Sequence, residues 1–146
     1  MPAAPEPCAT ETRHATCVAI AGRGALITGP SGYGKSGLAL QLIGLGATLV
    51  SDDRTHLRRD GSALIATAPA TLSGRIEARF VGILSSPAVP QAQVVLIVDL
   101  STEENQRLPA MHRDTLLGVE LPVIRKSTAA HFPSAVALYL RGGRLD

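Results

Sequence analysis

Tryptophan is absent, and two Phe and two Tyr are the only aromatic side chains apart from histidine in 146 residues. Little flat surface is available for stacking bases, and the basic residues are scattered over a formal charge of only +2, so the electrostatic footprint of a nucleic-acid binder is missing. The two cysteines, Cys8 and Cys17, share no CxxC or other metal-ligand spacing. This argues against zinc and dithiol redox chemistry and for two ordinary reduced thiols. No apolar run approaches the ~18 residues of a membrane-spanning helix, and the start lacks a basic stretch followed by an apolar one, so no secretory signal is expected. A cytoplasmic protein without nucleic-acid or membrane partners is the expectation.

What is present suits one compact core, since 45% of the side chains are hydrophobic. Residues 1–12, rich in Pro, Ala and Glu, read as a flexible arm before a single domain over 13–146. Residues 16–21 and 25–28 are apolar and β-compatible on either side of Gly22-Arg23-Gly24, which predicts two strands joined by a tight turn. Leu38, Leu42, Ile43 and Leu45 then recur near helical spacing, with Gly46 placed as a left-handed cap, predicting about three helical turns. Residues 47–50 predict a buried strand that delivers Ser51-Asp52-Asp53 at its end. Residues 55–58 and 63–68 flank an Asp60-Gly61 hairpin signal. Residues 94–98 and 119–124 read as further strands, while 134–140 fits either helix or strand, with Pro133 suited to a first helical turn. The fold class is α/β: a mixed sheet with flanking helices.

Chemistry is concentrated in Gly29-Pro30-Ser31-Gly32-Tyr33-Gly34-Lys35-Ser36, which fits the Walker A pattern and lies between a predicted strand and a predicted helix. Glycines at 29, 32 and 34 let the backbone curl so that N–H groups point at phosphate oxygens, and the helix start adds its positive end. Lys35 would reach the β- and γ-phosphates of ATP. The Ser36 hydroxyl suits Mg2+, a hard cation that takes oxygen ligands and keeps several waters. A phosphoryl-transfer enzyme using ATP and Mg2+ follows.

Nucleotide hydrolases hold the metal with an aspartate ending a second apolar strand, and both Val50-Ser51-Asp52-Asp53 and Val98-Asp99 offer one. Hydrophobicity does not choose between them. Two adjacent aspartates allow a division of labour, one carboxylate supporting the metal and the other accepting a hydroxyl proton. Asp99 also reads as a strand-end or helix-start residue before Ser101-Thr102, with Glu103 and Glu104 suited to a helix's first turn.

The ordered motifs resemble the catalytic domain of the HPr kinase/phosphorylase family. From residue 14 to about 125 come Arg13-His14-Ala15, the phosphate loop, Leu49-Val50-Ser51-Asp52-Asp53, and Arg75-Ile76-Glu77-Ala78-Arg79-Phe80-Val81-Gly82-Ile83. The last is similar to the family's stretch built around Ile/Leu-Glu-x-Arg-Gly-x-Gly. The resemblance implies a P-loop sheet related to the nucleotide domain of phosphoenolpyruvate carboxykinases. It implies transfer from ATP to a seryl hydroxyl of the phosphocarrier HPr or a paralogous carrier, with the reverse phosphorolysis, in phosphotransferase-system signalling. Ser36 with Glu77 would hold Mg2+, Asp53 would take the serine proton with Asp52 beside it, His14 would lie at the active site, and Arg107 looks like the family's later catalytic arginine. The homo-hexamer typical of the family is the implied assembly. Pro122-Val123-Ile124-Arg125-Lys126-Ser127 departs from the family's Pro-Val-x-x-Gly-Arg, which is tied to the reverse reaction. The chain looks like the short, single-domain form of the family. Two competing readings are a small-molecule kinase or nucleotide hydrolase using Asp99, and a nucleotide-binding sensor with little turnover.

Overall fold

A computed structural model describes residues 9–146. Eleven strands and two α-helices follow one another among these residues, and nine of the strands form one sheet. Its spine is β9 (Gln91–Glu103), whose unbroken apolar run over 94–98 fits burial on both faces. Along one edge of β9 lies β3 (Arg23–Thr28), parallel to it. Its other edge takes β6 (Ala63–Thr67) antiparallel near the start and β11 (Val119–Lys126) parallel near the end. The sheet continues from β3 through β2 (Thr16–Ile20) to β4 (Thr48–Ser51). Beyond β6 it continues through β5 (Thr55–Asp60) to β1 (Thr10–Arg13), and β10 (His112–Leu116) pairs with β11. A separate hairpin is formed by β7 (Arg75–Ala78) and β8 (Gly82–Ser85).

Strand periodicity sorts the core into two layers. Val18, Ile20, Ala25, Ile27 and Leu49 face one side, where α1 (Lys35–Gly44) and α2 (Phe132–Gly142) cover them with Leu38, Leu42, Val136 and Leu140. Cys17, Ala19, Leu26 and Val50 face the other, where they meet Leu57, Leu64, Ala66 and Leu116 from the outer strands. The sheet therefore curls round its second core, and both helices lie on one face. An extra residue in β9 opposite the Gly24/Ala25 junction lets Val94 serve one layer and Leu96 the other.

The strands expected at 16–21, 25–28, 47–50, 94–98 and 119–124 and the helix with positive-φ Gly46 after it are present, but Arg23 and Gly24 belong to β3 rather than to the turn, and β9 extends on both sides of 94–98. The uncertain segment 134–140 is helix, with Pro133 in its first turn. Three expectations need correction. Residues 10–12 are not an arm but part of β1, paired with β5, while 1–8, Cys8 included, lie outside the described residues. Glu103 does not open a helix: β9 runs on to it, because β11 supplies a pairing partner in Lys126, and Glu104 follows in a loop. The hairpin after β5 turns on Gly61-Ser62, with Asp60 already paired to Ala63.

Candidate active site

The phosphate loop leaves the C-terminal end of β3 and enters α1. Gly32 and Gly34 have φ of 84° and 95°, values that cost a side-chain-bearing residue strain, and Gly34 is the N-cap residue. The first turn of α1 contains no acidic residue, so its positive end is left open toward an anion. Lys35 is buried and donates to the carbonyls of Gly29 (2.7 Å) and Pro30 (3.2 Å), which holds its ammonium across the loop. One turn of sequence thus gathers amides, an ammonium and the Ser36 hydroxyl.

The opposing wall is made by the end of β4. Asp52 is buried, and its carboxylate accepts three hydrogen bonds: Thr16 Oγ1 (3.0 Å) and Ser36 Oγ (2.7 Å) on Oδ1, and the Glu77 amide (3.2 Å) on Oδ2. It joins β2, the phosphate loop and the β7–β8 hairpin through one side chain. Asp53 is different. Its carboxylate is largely exposed, it lies 2.5 Å from His14 Nε2, and its backbone sits at φ 66°, where a residue with a side chain carries strain. The Asp53 amide donates to Thr16 Oγ1 at 3.1 Å, so one buried threonine hydroxyl ties together both aspartates. Cys17, next in β2, is fully buried, and burial pushes its thiol up to about 12, in keeping with an unreactive core residue.

Between the phosphate loop and the end of β4 lies a cleft of about 490 Å³, lined in part by Gly37, Leu40 and Arg79. It brings together His14, Ser31, Gly32, Gly34, Lys35, Ser36, Asp52, Asp53 and Glu77. Gly29 and Pro30 belong to the same loop, their carbonyls turned to Lys35, whereas Tyr33 lines a second cleft on the other side of α1. Arg107 is not brought in: it is exposed in the segment after β9 and does not line the cleft. Asp99 is also outside, its Oδ1 accepting from the Ser101 amide (2.9 Å) and hydroxyl (2.6 Å). Of the two strand ends left open by hydrophobicity, the one carrying Asp52 and Asp53 borders the cleft and the one carrying Asp99 does not. Thr16 was missed by the motif reading; the available signal was a hydroxyl opening a strand that is otherwise apolar.

Chemically, the cleft pairs an anion cradle with a mixed carboxylate, hydroxyl and imidazole wall. Such a layout suits a polyphosphate with a hard cation, and an acceptor proton taken up at its far end.

A family model described as HPr Serine kinase C-terminal domain matches residues 7–124. The HPr kinase/phosphorylase of Limosilactobacillus reuteri is 41% identical over 97 residues, covering 61% of this chain and 30% of that protein. That of Clostridium acetobutylicum is 46% identical over 82 residues, covering 56% and 27%. The chain thus spans under a third of the length of the curated relatives it matches. A solved structure, that of the Hpr(Ser) kinase/phosphatase from Coxiella burnetii, aligns with a TM-score of 0.77 at 29% identity, over 92% of this chain and 97% of that one.

Proposed function

The chain belongs to the HPr serine kinase C-terminal domain family, and on that premise we propose that it moves the γ-phosphoryl group of ATP to a seryl hydroxyl of an HPr-type phosphocarrier, and can run the reverse phosphorolysis. The observation that carries this reading is the convergence of Lys35, Ser36, Asp52, Asp53 and His14 on one cleft beside the phosphate loop. Relatives named as kinase and phosphorylase support both directions, while Lys126-Ser127 in place of the family's Gly-Arg weighs against the reverse one. In this role the protein would act in the cytoplasm, in phosphotransferase-system regulation, and the family's hexamer is its proposed assembly.

Phosphoryl transfer depends mainly on in-line positioning and on neutralising charge around the equatorial oxygens. The loop amides and Lys35 would hold the β- and γ-phosphates, and Arg79, rather than Arg107, is the arginine we assign to the γ-phosphate because it lines the cleft. Oxygen donors fit Mg2+: the Ser36 hydroxyl, Asp52, already 2.7 Å from it, and the Glu77 carboxylate across the cleft. A Mg2+ ion held by these groups would supply charge neutralisation for the transferring phosphoryl group. Asp53 would accept the serine proton as the serine oxygen bonds phosphorus and the bond to the ADP oxygen breaks. His14 would orient that carboxylate through its 2.5 Å contact. In reverse, inorganic phosphate attacks phosphoserine, Asp53 returns the proton to the departing serine oxygen, and pyrophosphate forms.

The test is transfer of labelled γ-phosphate to a purified HPr-type carrier by wild type and Asp53→Asn. Labelled phosphoserine that falls by about 10²–10⁴-fold in the variant is expected for loss of a general base. ATP binding without label on any carrier would instead favour a nucleotide sensor.

A further inference from the structure

Three parallel strands, β3, β9 and β11, bring their C-terminal ends to the same side of the sheet. In open α/β sheets ligands settle outside such ends. The phosphate loop follows β3, and beside it, beyond the ends of β9 and β11, lies a second cleft of about 400 Å³. Gly34 and Gly37 line both this cleft and the one holding the carboxylates, so the two meet across the first turn of α1. Apart from the backbone of its own helix and its chain neighbours, no heavy atom lies within 4 Å of where a Gly37 Cβ would project, which leaves the junction open.

A nucleoside triphosphate aligned on that turn, with its γ end at Asp53, must send its nucleoside out on one side. The side toward Asp52, Asp53 and Glu77 is carboxylate-rich and reserved for the acceptor. The other side has a different chemistry. Tyr33 offers a half-exposed ring, with the Lys126 ammonium 6.0 Å from its centroid. Leu100 and Phe132 provide an apolar floor, and Gln41 and Thr128 bring an amide and a hydroxyl to the rim. An aromatic face, apolar walls and a few polar groups are what a base and ribose require.

We propose that this second cleft binds the nucleoside of the ATP whose phosphates occupy the first, with Tyr33 and Lys126 on one wall and the segment between β11 and α2 on the other. The proposal rests on the phosphotransferase reading, which leaves open where the nucleoside lies.

The test compares calorimetric binding of Mg-ATP and of Mg-tripolyphosphate, which lacks a nucleoside, to wild type and to Ala129→Trp, whose indole would fill the cleft. ATP should bind at least tenfold more weakly to the variant, with tripolyphosphate unchanged. ATP binding unaffected by the indole overturns the proposal. A photoreactive 8-azido-ATP on wild-type protein gives a reading that does not depend on the variant's folding. Label on Tyr33 or on residues 126–133 supports the assignment, and label confined elsewhere overturns it. Wild type that binds tripolyphosphate as tightly as ATP sinks the nucleoside site alone. Wild type that binds neither sinks the phosphotransferase reading along with it.

Discussion

Thr16 is the residue on which the geometry of the two aspartates turns. Fully buried at the start of β2, it donates to Asp52 and accepts from the Asp53 amide, across 36 and 37 positions of sequence. Replacing it with valine keeps the volume but leaves the part-buried Asp53 amide and the Asp52 Oδ1 each short of a partner. Such losses cost about 1–3 kcal/mol. Because Asp53 already holds a strained φ of 66°, its carboxylate should also drift from its position. Thr16→Val should therefore lower the melting temperature and cut phosphoryl transfer to the carrier by about 10- to 100-fold, while Thr16→Ser, which keeps the hydroxyl, should restore most of the rate. Wild-type transfer by the valine variant would show that Thr16 positions nothing. Sequence could announce the aspartates, because a strand ending in paired carboxylates has a visible pattern. It could not announce Thr16, since nothing local states which distant residues a buried hydroxyl faces.

The hairpin of β7 and β8 shows the same division at the level of the element. Each strand is four residues long, too short for periodicity to reveal, and the segment was recognisable only through its likeness to a family motif. Where that motif carries glycine the chain has Phe80, fully exposed and at φ 71°. Left-handed backbone costs a residue with a side chain about 1–2 kcal/mol, and an exposed ring recovers none of that by burial. Phe80→Gly should accordingly stabilise the protein by about 0.5–1 kcal/mol after the added chain entropy of glycine, seen as a higher urea midpoint at constant slope. Phe80→Ala retains the strained backbone and should give no such gain; an equal gain from alanine would mean that the ring itself is the source of destabilisation. Elsewhere local signals were sufficient. The 3.6-residue spacing of α1 and its trailing Gly46 needed no partner to be read, whereas Glu103 was read as a helix start because its acidity is local and its strand partner, Lys126, is not.

For the molecule as a whole, the two-layer core follows from alternation along β2, β3 and β4, so that which residues are buried was largely legible. How the layers close was not, because the curl of the sheet depends on the extra residue in β9 and on β6 and β11 sharing one edge of that strand. Where β9 ends, Glu104 ties this closure together. Its amide donates to the Lys126 carbonyl (2.8 Å), its Oε1 meets His112 Nε2 of β10 (2.9 Å), and its Oε2 accepts from the amides of Asn105 (3.1 Å) and Gln106 (3.3 Å). The hydrogen bond from His112, aided by the two amides, holds the Glu104 carboxyl below the usual range, against the opposing effect of its partial burial. A carboxyl whose folded value is depressed contributes stability that is complete above the unfolded value of about 4.3 and is lost as pH falls through the folded one. Asp146, lowered by its hydrogen bond with Arg144, adds to the same acid limb and is untouched by a change at 104. Glu104→Gln should thus melt at a lower temperature than wild type near neutral pH, and the two melting curves should converge as the solution is acidified below pH about 4. Melting temperatures measured from neutral to acid pH decide it: a constant gap between the proteins would mean that Glu104 contributes only packing, and that the β9–β10 closure does not depend on its charge.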